Sequence, residues 1–178
     1  ALQGDLGVAL TNKRVIVDEV MPRLRNTLFL AAYSALIAIP LAVGLGVLSA
    51  INEGRWIDRL SNVLTLIAIS FPEFFIGYLL IIFFAVQNEW FPSLATVVPS
   101  MPLGERLYTA TLPAVALTLL VASHMLRMTR SSVLSVMSTA YIEMAFLKGA
   151  RRGRVITRHA LPNAAAPIIT VIGLNLAY

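Results

Sequence analysis

The sequence contains no cysteine, which excludes a disulfide framework, thiol chemistry and any thiolate metal site. Histidine is nearly as scarce. His124 and His159 are the only two; there is no H-E-x-x-H pair and no carboxylate at ligand spacing, so no metal centre is expected. A phosphate-binding loop is also lacking. The nearest glycine-and-base run, "GARRGRV" at 149–155, has no Lys-Ser/Thr end to hold phosphate and magnesium, so the chain is not expected to hydrolyse nucleotide itself. No G-x-S-x-G context stands near a buried histidine on another span, which removes an intramembrane serine hydrolase. No cofactor is expected. Charge is the last scarcity: 13% of the 178 residues are charged and mean hydropathy is +0.80, too apolar for a soluble domain.

What is present is a set of long apolar runs. Four meet the length of about 20 helical residues needed to cross a hydrocarbon core of roughly 30 Å: Leu28 to Ile51, Val63 to Val86, Leu107 to Leu126, and Ala160 to Tyr178. Backbone amides cannot stay unpaired in lipid, and the runs are continuous where barrel strands would alternate, so helices are expected. The fold class predicted is an all-α, polytopic transmembrane helical bundle embedded in a lipid bilayer. Residues 1–27 read as an extracytoplasmic segment and 28–178 as the membrane domain. The last run is unfinished at Tyr178, which predicts that the chain is a piece of something longer.

The basic residues set orientation. The connection from Arg127 to His159 holds seven Lys and Arg against one acid, Glu143, whereas the connection from Gln87 to Arg106 holds only Arg106. The first of these, 127–159, is therefore expected in the cytoplasm, together with Arg55 and Arg59. The first segment strains the rule, with Lys13, Arg14, Arg23 and Arg25 placed outside. The net charge of +5 does not point to nucleic acid, because apolar spans separate the basic residues and no basic–aromatic stripe is visible.

Finer patterns mark packing and possible function. Ser34, Ala38, Ala42, Gly46 and Ala50 repeat every four residues in the first run, a stripe that lets a second helix approach closely in lipid. Glu73, in "SFPEFF", is the one acid inside a span; a carboxylate at depth costs roughly 2.5–3.5 kcal/mol and usually faces a cavity or a partner. Pro72 beside it predicts a kink, as Pro113 does in the third span. Pro92, Pro99 and Pro102 predict an ordered loop capped by Trp90 and Phe91.

The seven basic residues of 127–159 would cost roughly 17–25 kcal/mol at the bilayer centre, so that connection lies outside it. It still reads as structured. Thr139 suits an N-cap, Glu143 a first turn and Gly149 a left-handed C-terminal cap, which predicts a helix of two to three turns. Ile142, Phe146 and Gly149 share a face, expected to be exposed unless something covers it. A second basic helix start, 151–158, leads into the last span, kinked at Pro162. Two readings fit these residues: a helix that wants a partner's groove, or one that rests on anionic headgroups.

At these residues the sequence resembles a known family. "EMAFLKGARRGRVITRHALP" is similar to the cytoplasmic signature of binding-protein-dependent ABC importer permeases: Glu-Ala-Ala, three residues, Gly, nine residues, Ile, one residue, Leu-Pro. Glu143, Ala145, Gly149, Leu161 and Pro162 match; Met144 replaces the first Ala and His159 the Ile. "HALPNA", "RMTRSSVLSVMSTAYIEMAFLKGA" and "GDLG" at 4–7 look most like the first-subunit type of the dipeptide/oligopeptide/nickel branch. The resemblance implies the transmembrane domain of a type I ABC importer with about four of six spans present, in a bacterial or archaeal inner membrane. It implies a second permease subunit, two cytoplasmic ATP-binding subunits and an extracytoplasmic solute-binding protein as partners. Ile142, Glu143, Ala145, Phe146, Gly149, Leu161 and Pro162 would then couple to the ATPase; the signature assigns no pore-lining residue, and Glu73 is a candidate for the translocation path on its position inside a span alone. The runner-up is a membrane anchor that docks a cytoplasmic protein without moving solute.

Overall fold

The computed structural model describes residues 7, 8, 13, 15–98 and 100–177. Most of "GDLG", together with Arg14, Pro99 and Tyr178, lies outside the described residues. The first apolar run becomes part of α1 (Ile16–Ile51), 36 residues long or about 54 Å at 1.5 Å per residue. Its partner is α4 (Leu103–Met137), 35 residues long, which continues through Pro113 as one element.

The small-residue stripe explains how these two meet. Ser34, Ala38, Ala42, Gly46 and Ala50 are all buried, as are Ala114, Thr118, Ala122, Thr129 and Val133 on the facing side of α4. Contact is tightest at Gly46, where a Cβ would stand 2.7 Å from Thr129 Cβ and 2.9 Å from the Leu126 carbonyl. Glycine is needed there because the opposing atoms belong to a β-branched stem and a backbone, neither of which can yield cheaply. Ala38, Ala42, Ala122, Met125, Leu126 and Val171 form the central core.

The second apolar run does not make one helix. α2 (Trp56–Ser70) and α3 (Glu73–Leu80) meet at a 100° bend, far more than the kink expected of Pro72. Phe71 is extended, with φ −96° and ψ 140°, because the proline ring excludes the helical region for the residue before it. Pro72 then cannot donate to a carbonyl four residues back, so the break is complete. α3 runs on as a π-helical stretch, Ile81–Gln87, into the ordered loop. There Phe84, Trp90, Phe91 and Tyr108 stack edge to face or tilted, and the Tyr108 hydroxyl donates to the Trp90 carbonyl at 2.7 Å. Asn26 Nδ2 of α1 donates to the Val97 carbonyl at 3.0 Å, so this loop closes the end of the bundle where α1 and α4 begin.

At the other end, which is the basic one, α4 turns into α5 (Ala140–Leu147). The chain then forms α6 (Arg152–Val155), a π-helical stretch Ile156–Ala160 and α7 (Leu161–Ala177). The π-helical register just before Pro162 accommodates a ring that would otherwise clash with the helix turn behind it. Among the described residues three helical stretches, Ile16–Ile51, Leu103–Met137 and Gly153–Asn175, are long and apolar enough to cross a membrane, and α2 with the helix beyond its bend, Glu73–Gln87, meets the same measure when the two are taken together, as a broken span or a re-entrant loop. The expected all-α polytopic bundle is therefore found. Among the described residues the one extended pairing is a bridge between Val8 and Val15.

Candidate functional site

The basic connection is built as a capped helix. Thr139 occupies the N-cap position with extended backbone, although its hydroxyl turns back to donate to the Val136 carbonyl at 2.6 Å. Gly149 has φ +78°, and the α5 C-terminus closes by two bonds: Gly149 N–H to the Phe146 carbonyl at 2.9 Å and Ala150 N–H to the Ala145 carbonyl at 3.2 Å. That pair is the Schellman arrangement, and it requires the left-handed residue that Gly149 supplies. A Cβ at Gly149 would meet nothing within 4 Å, so the constraint is backbone conformation and not space.

Which face of α5 is open differs from expectation. Ile142 is 0% exposed, packed with Val155 and Ala160 and bordered by Val136, Met137, Ala145 and Ala150. The expected exposed face of Ile142 with Phe146 is thus corrected: Ile142 seats α5 on the last turns of α4 and on the start of the final helix. Glu143, Met144, Phe146 and Leu147 remain exposed, Leu147 at 75%. Seven of the eight α5 residues are apolar by the same count that defines the chain's hydrophobic fraction, so sequence spacing could not tell the inner from the outer set. Ala145 sits half-buried beside Ile142, Leu161 packs on the Ala50, Val133, Ala164 and Ile168 cluster, and Pro162 is exposed.

A polar tie fastens α5 to α7. The Tyr141 hydroxyl donates to the His159 carbonyl, and Asn163 Nδ2 donates to that carbonyl at 2.7 Å and to the Tyr141 oxygen at 2.8 Å. The "HALPN" residues thereby have a structural role: Asn163 and Tyr141 converge on the His159 carbonyl and on each other.

Glu73 lies in a different place. It is the first residue of α3, at the break, and is exposed; the expected position in the middle of a continuous span is corrected. There a helix dipole favours its negative charge. It borders a cleft of about 410 Å³ whose walls include Leu30 of α1, Leu112, Pro113 and Leu117 of α4, and Pro92 and Ser93 of the loop. Among the described residues that form those walls, Glu73 is the one that carries charge. Pro113 also leaves the Thr109 carbonyl without its helical donor.

One constellation has no counterpart in the expectations drawn from sequence. Arg130 of α4 grips Asp58 of α2 with two parallel bonds, Nε to Oδ1 at 2.6 Å and Nη2 to Oδ2 at 2.8 Å. Ser49 of α1 donates its hydroxyl to Oδ1 at 2.6 Å, Gly54 its backbone N–H to Oδ2 at 2.9 Å, and Asn62 its amide to Oδ1 at 2.9 Å. Asp58 is 4% exposed. Every carboxylate lone pair direction is served, which is the condition under which a buried ion pair is tolerated. The partners are 72 positions apart, and only their position beside the α1–α2 turn would have hinted at a pairing.

Two comparisons bear on this arrangement. Residues 42–178 match the family described as "Binding-protein-dependent transport system inner membrane component". Over 184 residues the chain is 34% identical to the glutathione transport system permease protein GsiC of Escherichia coli O6:H1, and equally to that of Escherichia coli K12; all of this chain is covered and 56% of each relative. The Salmonella paratyphi A protein of the same name is 34% identical over 183 residues, covering 99% of this chain and 55% of that one. The chain spans about half the length of the curated relatives it matches.

Proposed function

The chain belongs to the binding-protein-dependent transport system inner membrane components, and on that premise we propose that it is a permease subunit of an ATP-driven importer, forming part of the path for peptides or a related small solute. The observation that carries the reading is the basic connection: a capped helix, held by Ile142 to α4 and by Tyr141 to α7, that turns Met144 and Leu147 outward. A rigid helix with an apolar outer face suits a groove in a partner. In this reading the basic end is cytoplasmic, residues 28–178 form the permease domain, and 127–159 is its coupling loop, with Glu143 and Gly149 of the signature beside Met144, Phe146 and Leu147. ATP is hydrolysed on two separate cytoplasmic subunits, a second permease subunit completes the path, and an extracytoplasmic solute-binding protein delivers the solute. The peptide assignment rests on the glutathione named for the relatives.

Co-purification tests the reading. Tagged full-length protein is extracted from its host in mild detergent, and its companions are identified by mass spectrometry for wild type and for Gly149→Arg. The expected result is an ATPase subunit present with wild type and lost in the variant. A folded wild type that brings no ATPase in any of several detergents makes the anchor reading the better account.

A further inference from the structure

We infer that Asp58 and Arg130 are positioning residues for transport, a clasp that makes the foot of α2 follow the basic end of α4. The inference rests on the importer reading above. Displacement of α5 reaches α4 directly, because Ile142 is fully buried against Val136 and Met137. Arg130 stands six residues before Val136 on the same helix, about 9 Å along the axis. From Arg130 the route crosses to α2 through Asp58, whose carboxylate ties α2 to Ser49 of α1, to Gly54 of the α1–α2 turn and to Arg130 of α4.

The rest of α2 is loosely seated. Its only buried residues are Asp58 and Thr65, and the Thr65 hydroxyl bonds within its own helix, to the Ser61 carbonyl. An apolar groove of about 680 Å³ separates α2 from its neighbours, bordered by Leu41 and Leu45 of α1, Leu60 and Leu64 of α2, and Leu119 and Leu126 of α4. α2 is therefore a rod gripped at its foot, poorly packed along its length and broken at Phe71–Pro72. Beyond the break stands Glu73 in its cleft. A rod held this way passes displacement from foot to break, whereas a helix packed along its whole face would not need a clasp. Arg suits the task because its planar fork fixes both distance and angle, which a lysine cannot.

The test uses the full-length permease assembled with its partner permease and ATPase subunits in lipid nanodiscs, and the solute-binding protein purified from the host with the ligand it carries. Asp58→Asn keeps the groups that can bond to Ser49 and Gly54 and leaves Arg130, whose side chain is 22% exposed, able to reach water. Basal ATP hydrolysis and the yield of assembled complex are expected to stay within about twofold of wild type, while stimulation of hydrolysis by the binding protein falls about fivefold or more. Arg130→Lys, which keeps the charge and loses the fork, is expected to fall between the two. Stimulation retained within about twofold in both variants overturns the inference. So does loss of basal hydrolysis and complex yield in parallel with stimulation in both variants, since a purely structural pair would do that. A wild-type complex that contains no ATPase takes down the importer reading itself, a result distinct from either.

Discussion

Glu73 and Gly149 are single residues whose surroundings decide what they can do. Glu73 has a helix start behind it and an apolar cleft in front, so its charge is unmatched by any other wall residue. If that charge meets the solute, Glu73→Gln, nearly isosteric, should lower vesicle uptake of labelled peptide about tenfold, on the scale of one charged hydrogen bond, with the complex assembling as before. Unchanged uptake would remove Glu73 from the path. Gly149 was legible from sequence because a glycine after a short helix has one common use, and φ +78° bears it out. Ile142 was not legible as a buried residue. Nothing in "YIEMAFL" distinguishes the side that meets α4 from the side that faces outward, because that depends on where α4 ends.

At the scale of elements, the pair α1–α4 was readable and the pair α2–α3 only partly so. The four-residue period of small side chains specifies a face without knowledge of the partner, and the partner's own small residues complete it at Gly46 and Thr129. Gly46→Ala should therefore force the helices apart. We expect a loss of about 1–3 kcal/mol, typical of overpacking, read as a lower denaturant midpoint in detergent. Gly44→Ala on the same helix is the control, because a Cβ there meets nothing within 4 Å and should be neutral. The break at Pro72 shows the opposite limit. A proline announces a missing donor and a crowded neighbour, but the size of the bend depends on what receives α3 afterwards. Here the receiving surface is α4, with its Tyr108, and the loop of Trp90 and Phe91 that packs on it.

For the whole molecule, composition and run length were enough to give the fold class, since lipid leaves the backbone few choices. Long-range polar pairing was out of reach: Asp58 and Arg130 are joined across 72 positions by topology that no local pattern encodes. That separation also sets a timetable for synthesis. A ribosome adding roughly 5–20 residues per second leaves the new carboxylate without its arginine for about 4–14 s. During that interval the foot of α2 has Ser49, Gly54 and Asn62 to bond its carboxylate but no counter-charge, and the α1–α2 hairpin is expected to wait unlocked. The chain has no cysteine of its own, so Ser49→Cys, at a site 0% exposed in the finished fold, can report when the lock closes. Nascent chains arrested before Arg130 should react with a water-soluble maleimide, and those arrested after α7 has emerged should not. Protection already present in the shorter chains would mean that the hairpin closes by itself and that the arginine arrives at a finished site.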